Sequence, residues 1–431
     1  DVSGKPVTAW LRTRVDNYKQ NTPMNSISKL LAICCAVVLL AGCEEPTPEE
    51  ILKQFYATGT ITDEQAEILS NANLILQIHG LTSITDEEAE SLGKLRGLSL
   101  PGLTSITDRQ AEILSGVKDL GLNGLTSITD SQANILNEVE VLGLSGLTSI
   151  SDVQAQSLSE IGNLMLNGLT SITDKQAESL SKVQTLSLMS LTSVTDEQAE
   201  SFSKVEFLLI SRSCRNQIEL YQQKVVERVN ASGSITDDQA ETLSYFKGDH
   251  LNLSGLIQIS DKQAKFLSEF QARRSGSLDL SGLNSITDTQ AEILSKAERQ
   301  LILNRLTFMT DTQAESLGKI NELHLNSLTN ISDRQAVCLS TVDHLELNGI
   351  TSISETQLAS LSNVMNLYLN GVTTITDYQA ETLGQSGGYF QSLHLTGLIS
   401  ITDEQAESLS KVENLEISEA LQPLIDKYKK Q

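Results

Sequence analysis

The stretch Leu169-Thr-Ser-Ile172-Thr173-Asp174-Lys175-Gln176-Ala177-Glu-Ser-Leu180-Ser-Lys182-Val183-Gln-Thr185-Leu186-Ser187-Leu188 decides how this chain folds. Thr173 followed three residues later by Gln176 is a capping box. Its hydroxyl accepts from one orphan N–H of a helix start, and the amide reaches back to another. Asp174 takes the first helical position, where the positive end of the helix dipole favours a carboxylate. Ile172 and Ala177 are placed for a hydrophobic staple, and Ala177 and Leu180 share the inward side of the helix. After Lys182 the hydrophobic period changes from 3.6 to 2, because Leu186 and Leu188 alternate with Thr185 and Ser187 as a short strand requires.

The Ile-Thr-Asp-x-Gln-Ala string recurs fifteen times, with its acidic residue at Asp63, Asp86, Asp108, Asp130, Asp152, Asp174, Asp196, Asp237, Asp261, Asp288, Asp311, Asp333, Glu355, Asp377 and Asp403. Most spacings are 22 or 23 residues, with insertions before Asp237, Asp261, Asp288 and Asp403. A strand and a helix in every 22 residues leave no room for a hairpin return, so the strands stack in parallel with helices behind them. The expected fold class is α/β, a curved solenoid.

The run Val183-Gln-Thr-Leu186-Ser-Leu188 resembles the Leu-x-x-Leu-x-Leu pattern of the leucine-rich repeat family, over roughly residues 61–418. The Ile-Thr-Asp string is particularly similar to the cysteine-containing subfamily found in F-box substrate adaptors. The resemblance implies a right-handed horseshoe of about fifteen repeats, with parallel strands on the concave face and short helices on the convex one. One departure stands out: Leu191, Leu125, Leu147 and Leu169 occupy the family's Cys or Asn position. The family's side chain satisfies backbone groups in the turn after the strand, and the following Thr-Ser pair is expected to replace it here. No F-box-like region accompanies the repeats.

At the amino end, Met24 and Lys29 precede an apolar run from Leu30 to Ala41, then Gly42 and Cys43. This is the layout of an export signal, and 12 apolar residues are too few to span a bilayer. Leu40-Ala41-Gly42-Cys43 resembles the lipobox of bacterial lipoproteins, which implies lipidation at Cys43, a lipid-anchored protein and a bacterial cell-envelope location. The expected organisation is then an upstream extension (1–23), a lipoprotein signal peptide (24–42), an acidic tether (43–50), an N-terminal cap (51–60), the solenoid (61–418) and a C-terminal cap (419–431). Ile51, Leu52, Phe55 and Tyr56 would close one end, and Leu421, Leu424, Ile425 and Tyr428 the other. An insertion near 212–231 reads as an amphipathic helix carrying Ile218, Leu220, Tyr221, Val225, Val226 and Val229. Longer turns at 270–276 and 385–390 lie along one rim.

Composition narrows the function. A formal net charge of −24 repels polyanions, so no nucleic acid is expected as a partner. Aromatic residues are 4% of the chain and histidines number five, which leaves little for a cofactor pocket or a His-rich metal centre. No phosphate-cradling loop, nucleophile elbow or closely spaced ligand set appears, so neither a cofactor nor a metal nor an enzymatic activity is expected. The recurrent Asp is explained by helix-start charge, and the cap Thr is already used internally, which argues against cation or ice binding along the ladder. Cys214 and Cys338, about five repeats apart, are expected to be free thiols.

The middle exposed strand position varies. It reads Gln77, Ser99, Gly121, Gly143, Met165 and Ser187 in the first six repeats, and later Ile302, His324, Glu346, Tyr368, His394 and Glu416. The later half offers larger, hydrogen-bonding side chains, so His324, Glu346, Tyr368 and His394, with His344 beside them, are the candidate partner-binding residues. The expected function is non-catalytic capture of a protein or peptide by an envelope lipoprotein. The alternative is a surface adhesin or structural repeat protein that meets host molecules, matrix glycan or its own copies.

Overall fold

In the computed structural model the described residues are 46–58, 62–71, 75–246, 248–270, 276–297, 299–386 and 390–429. The upstream extension, the signal segment and Cys43 lie outside them, as do Arg273, Arg274, Gly388 and Tyr389 of the lengthened turns. No helix among the described residues is long and apolar enough to cross a membrane.

Helix and strand alternate as the repeat demands. Strands such as Thr185–Leu188 are three or four residues long in most repeats, and helices such as Asp174–Leu180 run for about two turns. Each repeat helix starts on a capping box with both arms closed, from Thr62 and Gln65 in the first repeat to Thr402 and Gln405 in the last. A cap of this kind contributes about 1 kcal/mol, enough to hold helices too short to persist alone.

The described residues form two compact units, divided between Arg215 and Asn216. The first carries a seven-stranded parallel sheet and the second an eight-stranded one, each with its strands in sequence order. Within a repeat, Ala177, Leu180, Val183, Leu186, Leu188 and Leu191 are all at most 1% exposed, so one apolar layer lies between helix and strand. Burying each Leu contributes roughly 1.5–3 kcal/mol, and the layer recurs along the chain.

The turn after the strand is built differently from the Thr-Ser expectation. Leu191 points into the core, and its N–H donates to the Leu188 carbonyl at 3.2 Å. Asparagines at the strand end do most of the remaining work. Asn167 Oδ1 accepts from Met189 N at 3.0 Å, and Asn326 and Asn348 accept likewise from Asn348 and Asn370. The Thr hydroxyl bonds across repeats in some copies, such as Thr192 to the Thr170 carbonyl at 3.2 Å. Apolar Leu therefore fits the family's polar position because a neighbouring Asn and the backbone satisfy the turn. Gly168 follows Asn167 because a Cβ there would lie 2.4 Å from the Leu147 carbonyl oxygen.

The insertion is the helix Arg212–Ser232, with Ile218, Tyr221, Val225 and Val229 buried and Leu220 exposed. It ends on Gly233 at φ 70°, the left-handed cap that glycine adopts without cost. Asn230 donates to the Asn252 carbonyl and accepts from Gly255 N, so the helix end serves the first strand turn of the second unit. At the amino side, the helix Pro48–Thr58 begins inside the segment assigned to the tether: Thr47 N donates to the Glu50 carboxylate at 2.9 Å, closing its start. Ile51 and Phe55 are buried. The last helix, Gln422–Lys429, buries Ile425.

Candidate functional site

Five neighbouring strands of the second unit carry the candidate residues: Glu322–His324, His344–Glu346, Asn366–Tyr368, Ser392–Leu395 and Leu415–Ile417. Their parallel register aligns His324, Glu346, Tyr368, His394 and Glu416 in one row, and Glu322, His344, Asn366 and Ser392 in a second. Residues two apart on a strand share a face, so both rows stand on the side opposite the buried Leu323, Leu345, Leu367 and Leu393. Adjacent strands are about 4.8 Å apart, which puts successive side chains of a row in contact.

The structure brings all five sequence-predicted partner-binding residues together. The His324 and His344 rings stack with centroids 5.5 Å apart, His344 and Tyr368 meet at 4.8 Å, and Tyr368 stacks on His394 at 3.9 Å. Glu346 sits between the first two histidines: its Oε2 is 3.2 Å from His324 Nδ1 and its Oε1 is 3.6 Å from His344 Nε2. The second distance is too long for a hydrogen bond. His394 Nδ1 pairs with Glu416 Oε2 at 2.7 Å. Three of the chain's five histidines thus share one patch.

Burial and charge set the protonation of the patch. His344 beside it, the Asn326 amide and the charge of His324 hold the Glu346 carboxyl at about 2, below the ordinary 4.5 and against the opposing effect of burial. Burial lowers His324 and His394 from the ordinary 6.5, with Glu346 and Glu416 respectively pulling the other way. Burial, with the nearby Glu346 and Glu416 charges, raises Tyr368.

Three supporting residues escape a reading of the middle strand position alone. Asn326 Nδ2 donates to Glu346 Oε2 at 2.7 Å, Gln300 Nε2 lies 3.1 Å from His324 Nε2, and Ser392 Oγ lies 2.6 Å from His394 Nε2. The signal for Gln300 and Ser392 is the period of two, which gives each strand a second position on the same face. Asn326 is signalled by its recurrence as the strand-end Asn. The remaining predicted site residue, Cys43, lies outside the described residues. Cys214 and Cys338 are free thiols, the first buried and the second partly exposed.

No protein-family model and no curated protein matches the chain. Solved structures do. The chain is similar to an internalin (InlF) from Listeria monocytogenes, at 16% identity and a TM-score of 0.30 over 82% of this chain and 88% of that one. It is similar to a structure of the Toll–Spätzle complex of Drosophila, at 13% identity and 0.31 over 84% of this chain and 49% of that one. A third is the yeast Rad7 and Elc1 complex, at 15% identity and 0.27 over 93% and 95%. The fold is leucine-rich-repeat-like. That assignment stands on the in-register parallel strands, the alternating short helices and the single Leu-rich layer between them.

Proposed function

We propose that the chain is a non-catalytic repeat scaffold that captures a protein or peptide on the exposed face of its eight-stranded sheet, and that lipid on Cys43 tethers it to a bacterial envelope membrane. The observation that carries the binding reading is the continuous His324, His344, Tyr368, His394 stack, with Glu346 and Glu416 beside it. Side chains fixed on strands and already packed against each other lose little conformational freedom when a partner arrives. Tyr, whose ring is apolar and whose hydroxyl is polar, is enriched at protein interfaces for that reason. The tether reading is supported by Leu40-Ala41-Gly42-Cys43 after its apolar run.

The test of binding is the double substitution Tyr368→Ala with Glu346→Ala, compared with Met165→Ala on the first sheet, in capture of envelope proteins quantified by mass spectrometry. A partner retained by the parent and by Met165→Ala but lost from the double variant is the expected result; identical capture by all three removes the reading. Labelling with an alkynyl fatty acid tests the anchor, with Cys43→Ser expected to abolish incorporation. Protease shaving of intact cells reports the side of the envelope: loss of the repeat array means surface display, and protection until permeabilisation means an internal scaffold.

A further inference from the structure

The geometry points to a transition-metal site on the eight-stranded sheet, in which His324, His344 and Glu346 together hold one zinc ion. One donor atom from each of the three lies within 4.8 Å of the other two. Zinc bonds nitrogen and oxygen at about 2.0–2.2 Å, so donors around a tetrahedral ion stand roughly 3.4 Å apart. His324 Nδ1 lies 3.2 Å from Glu346 Oε2 and His344 Nε2 lies 3.6 Å from Oε1, so both imidazoles already flank the one carboxylate at about that spacing, each beside a different oxygen. The three donors, one from each residue, start within 4.8 Å of one another and draw in to that spacing when the ion binds.

The polar atoms around the three residues are arranged as a metal site requires. His344 Nε2 is buried and has no hydrogen-bond partner. Leaving such an atom unsatisfied is costly, and a cation placed between it and Glu346 Oε1 removes that cost. Glu346 Oε2 is held by Asn326, which leaves Oε1 free to coordinate and fixes the plane of the carboxylate. On the far side of His324, Gln300 lies against Nε2. Coordination through Nδ1 puts the ring proton on Nε2, and the Gln300 amide, turned to present its oxygen, accepts it. This is the outer hydrogen bond that metal-bound imidazoles usually make.

The donor set selects the ion. Two imidazole nitrogens and one carboxylate suit zinc and its neighbours in the first transition row, whereas magnesium and calcium take oxygen donors. The three side chains are 14–23% exposed, so a fourth position opens to solvent and can take a water or a donor from a bound partner. The inference shares a face with the proposed partner-binding site but needs no partner, and metal alone tests it.

The experiment is calorimetric titration of zinc chloride into the full chain after removal of metals with a chelator. The expected result is one saturable site per chain that magnesium and calcium in large excess do not block. His324→Gln, His344→Gln and Glu346→Gln should each weaken it by at least about tenfold, since even outer-sphere changes cost that much. His250→Gln should leave it unchanged, with circular dichroism confirming that every variant is folded. Cobalt absorption in the unsubstituted chain gives a second readout, in which a four-coordinate visible spectrum is expected. Absence of a saturable site, or equal loss in the His250 variant, overturns the assignment and leaves the partner-binding reading standing.

Discussion

Gln176 donates its side-chain Nε2–H to the carbonyl oxygen of Ile150, 26 residues earlier, at 2.9 Å. The same side chain accepts from Thr173 N at 2.9 Å, so one buried amide closes a helix and joins it to the repeat before. The bond recurs from Gln132 to Ile106, Gln313 to Ile286 and Gln379 to Ile353. Each cap hydroxyl adds a second tie where it donates to the preceding acidic residue, as Thr195 does to Asp174 at 2.9 Å. The recurrent Asp and Gln thus act between repeats as well as within them.

Gln176→Met keeps the volume of the side chain and removes both bonds. The expected loss of stability is about 2 kcal/mol, because a buried carbonyl and a part-buried N–H lose their partners together. Urea denaturation followed by circular dichroism measures it. Lys175→Ala, which breaks only an exposed ion pair to Asp152, should leave the midpoint unchanged.

Leu345 lies fully buried between His344 and Glu346 on the same strand. Leu345→Ala is expected to cost about 2–5 kcal/mol through the cavity it leaves. Glu346→Gln, one residue on, should fold normally and lose partner and zinc binding instead. Thermal melts beside binding assays separate the two roles.

Stability should fall with pH in two steps when metal is absent. His324 and His394 have folded pKa values below the ordinary 6.5, so the unfolded chain binds their protons first and stability is lost as pH drops below about 6.5. Around His324 stand Glu346, His344, Glu322 and Asp279; around His394 stand Glu416, His344 and Glu346. Glu346, ordinarily near 4.5 but held at about 2, adds stability that is intact above 4.5 and lost as pH falls toward 2. Denaturation midpoints measured in a chelating buffer should show both steps in the parent. Glu346→Gln should lack the lower one.

The two repeat-region thiols should differ in reactivity. Cys214 is fully buried with its Sγ 3.2 Å from the Leu191 carbonyl oxygen, whereas Cys338 is partly exposed. Alkylation of the native protein, mapped by mass spectrometry, should mark Cys338 within the time that leaves Cys214 unmodified; denaturant should equalise them.

The strand-and-helix repeat is legible in the sequence because its signals are local. Thr173 and Gln176 are three residues apart, Leu186 and Leu188 two apart, and each pair acts within a single turn or strand. The fate of Leu191 is not legible in the same way. Its expected replacement by Thr-Ser gave way to Asn167, which acts on Met189 across 22 residues through the stacking of neighbouring repeats.

Local chemistry alone determined the caps, the period, the fold class and the face on which variable residues stand. Tertiary structure decided what that face can hold. His324, His344 and Glu346 show no ligand spacing along the chain, because 20 residues separate the two histidines. They meet only because parallel register sets His324 opposite Glu346 on the next strand, with His344 two residues earlier on the same face. A strand spacing of about 4.8 Å then turns distant positions into neighbouring donors.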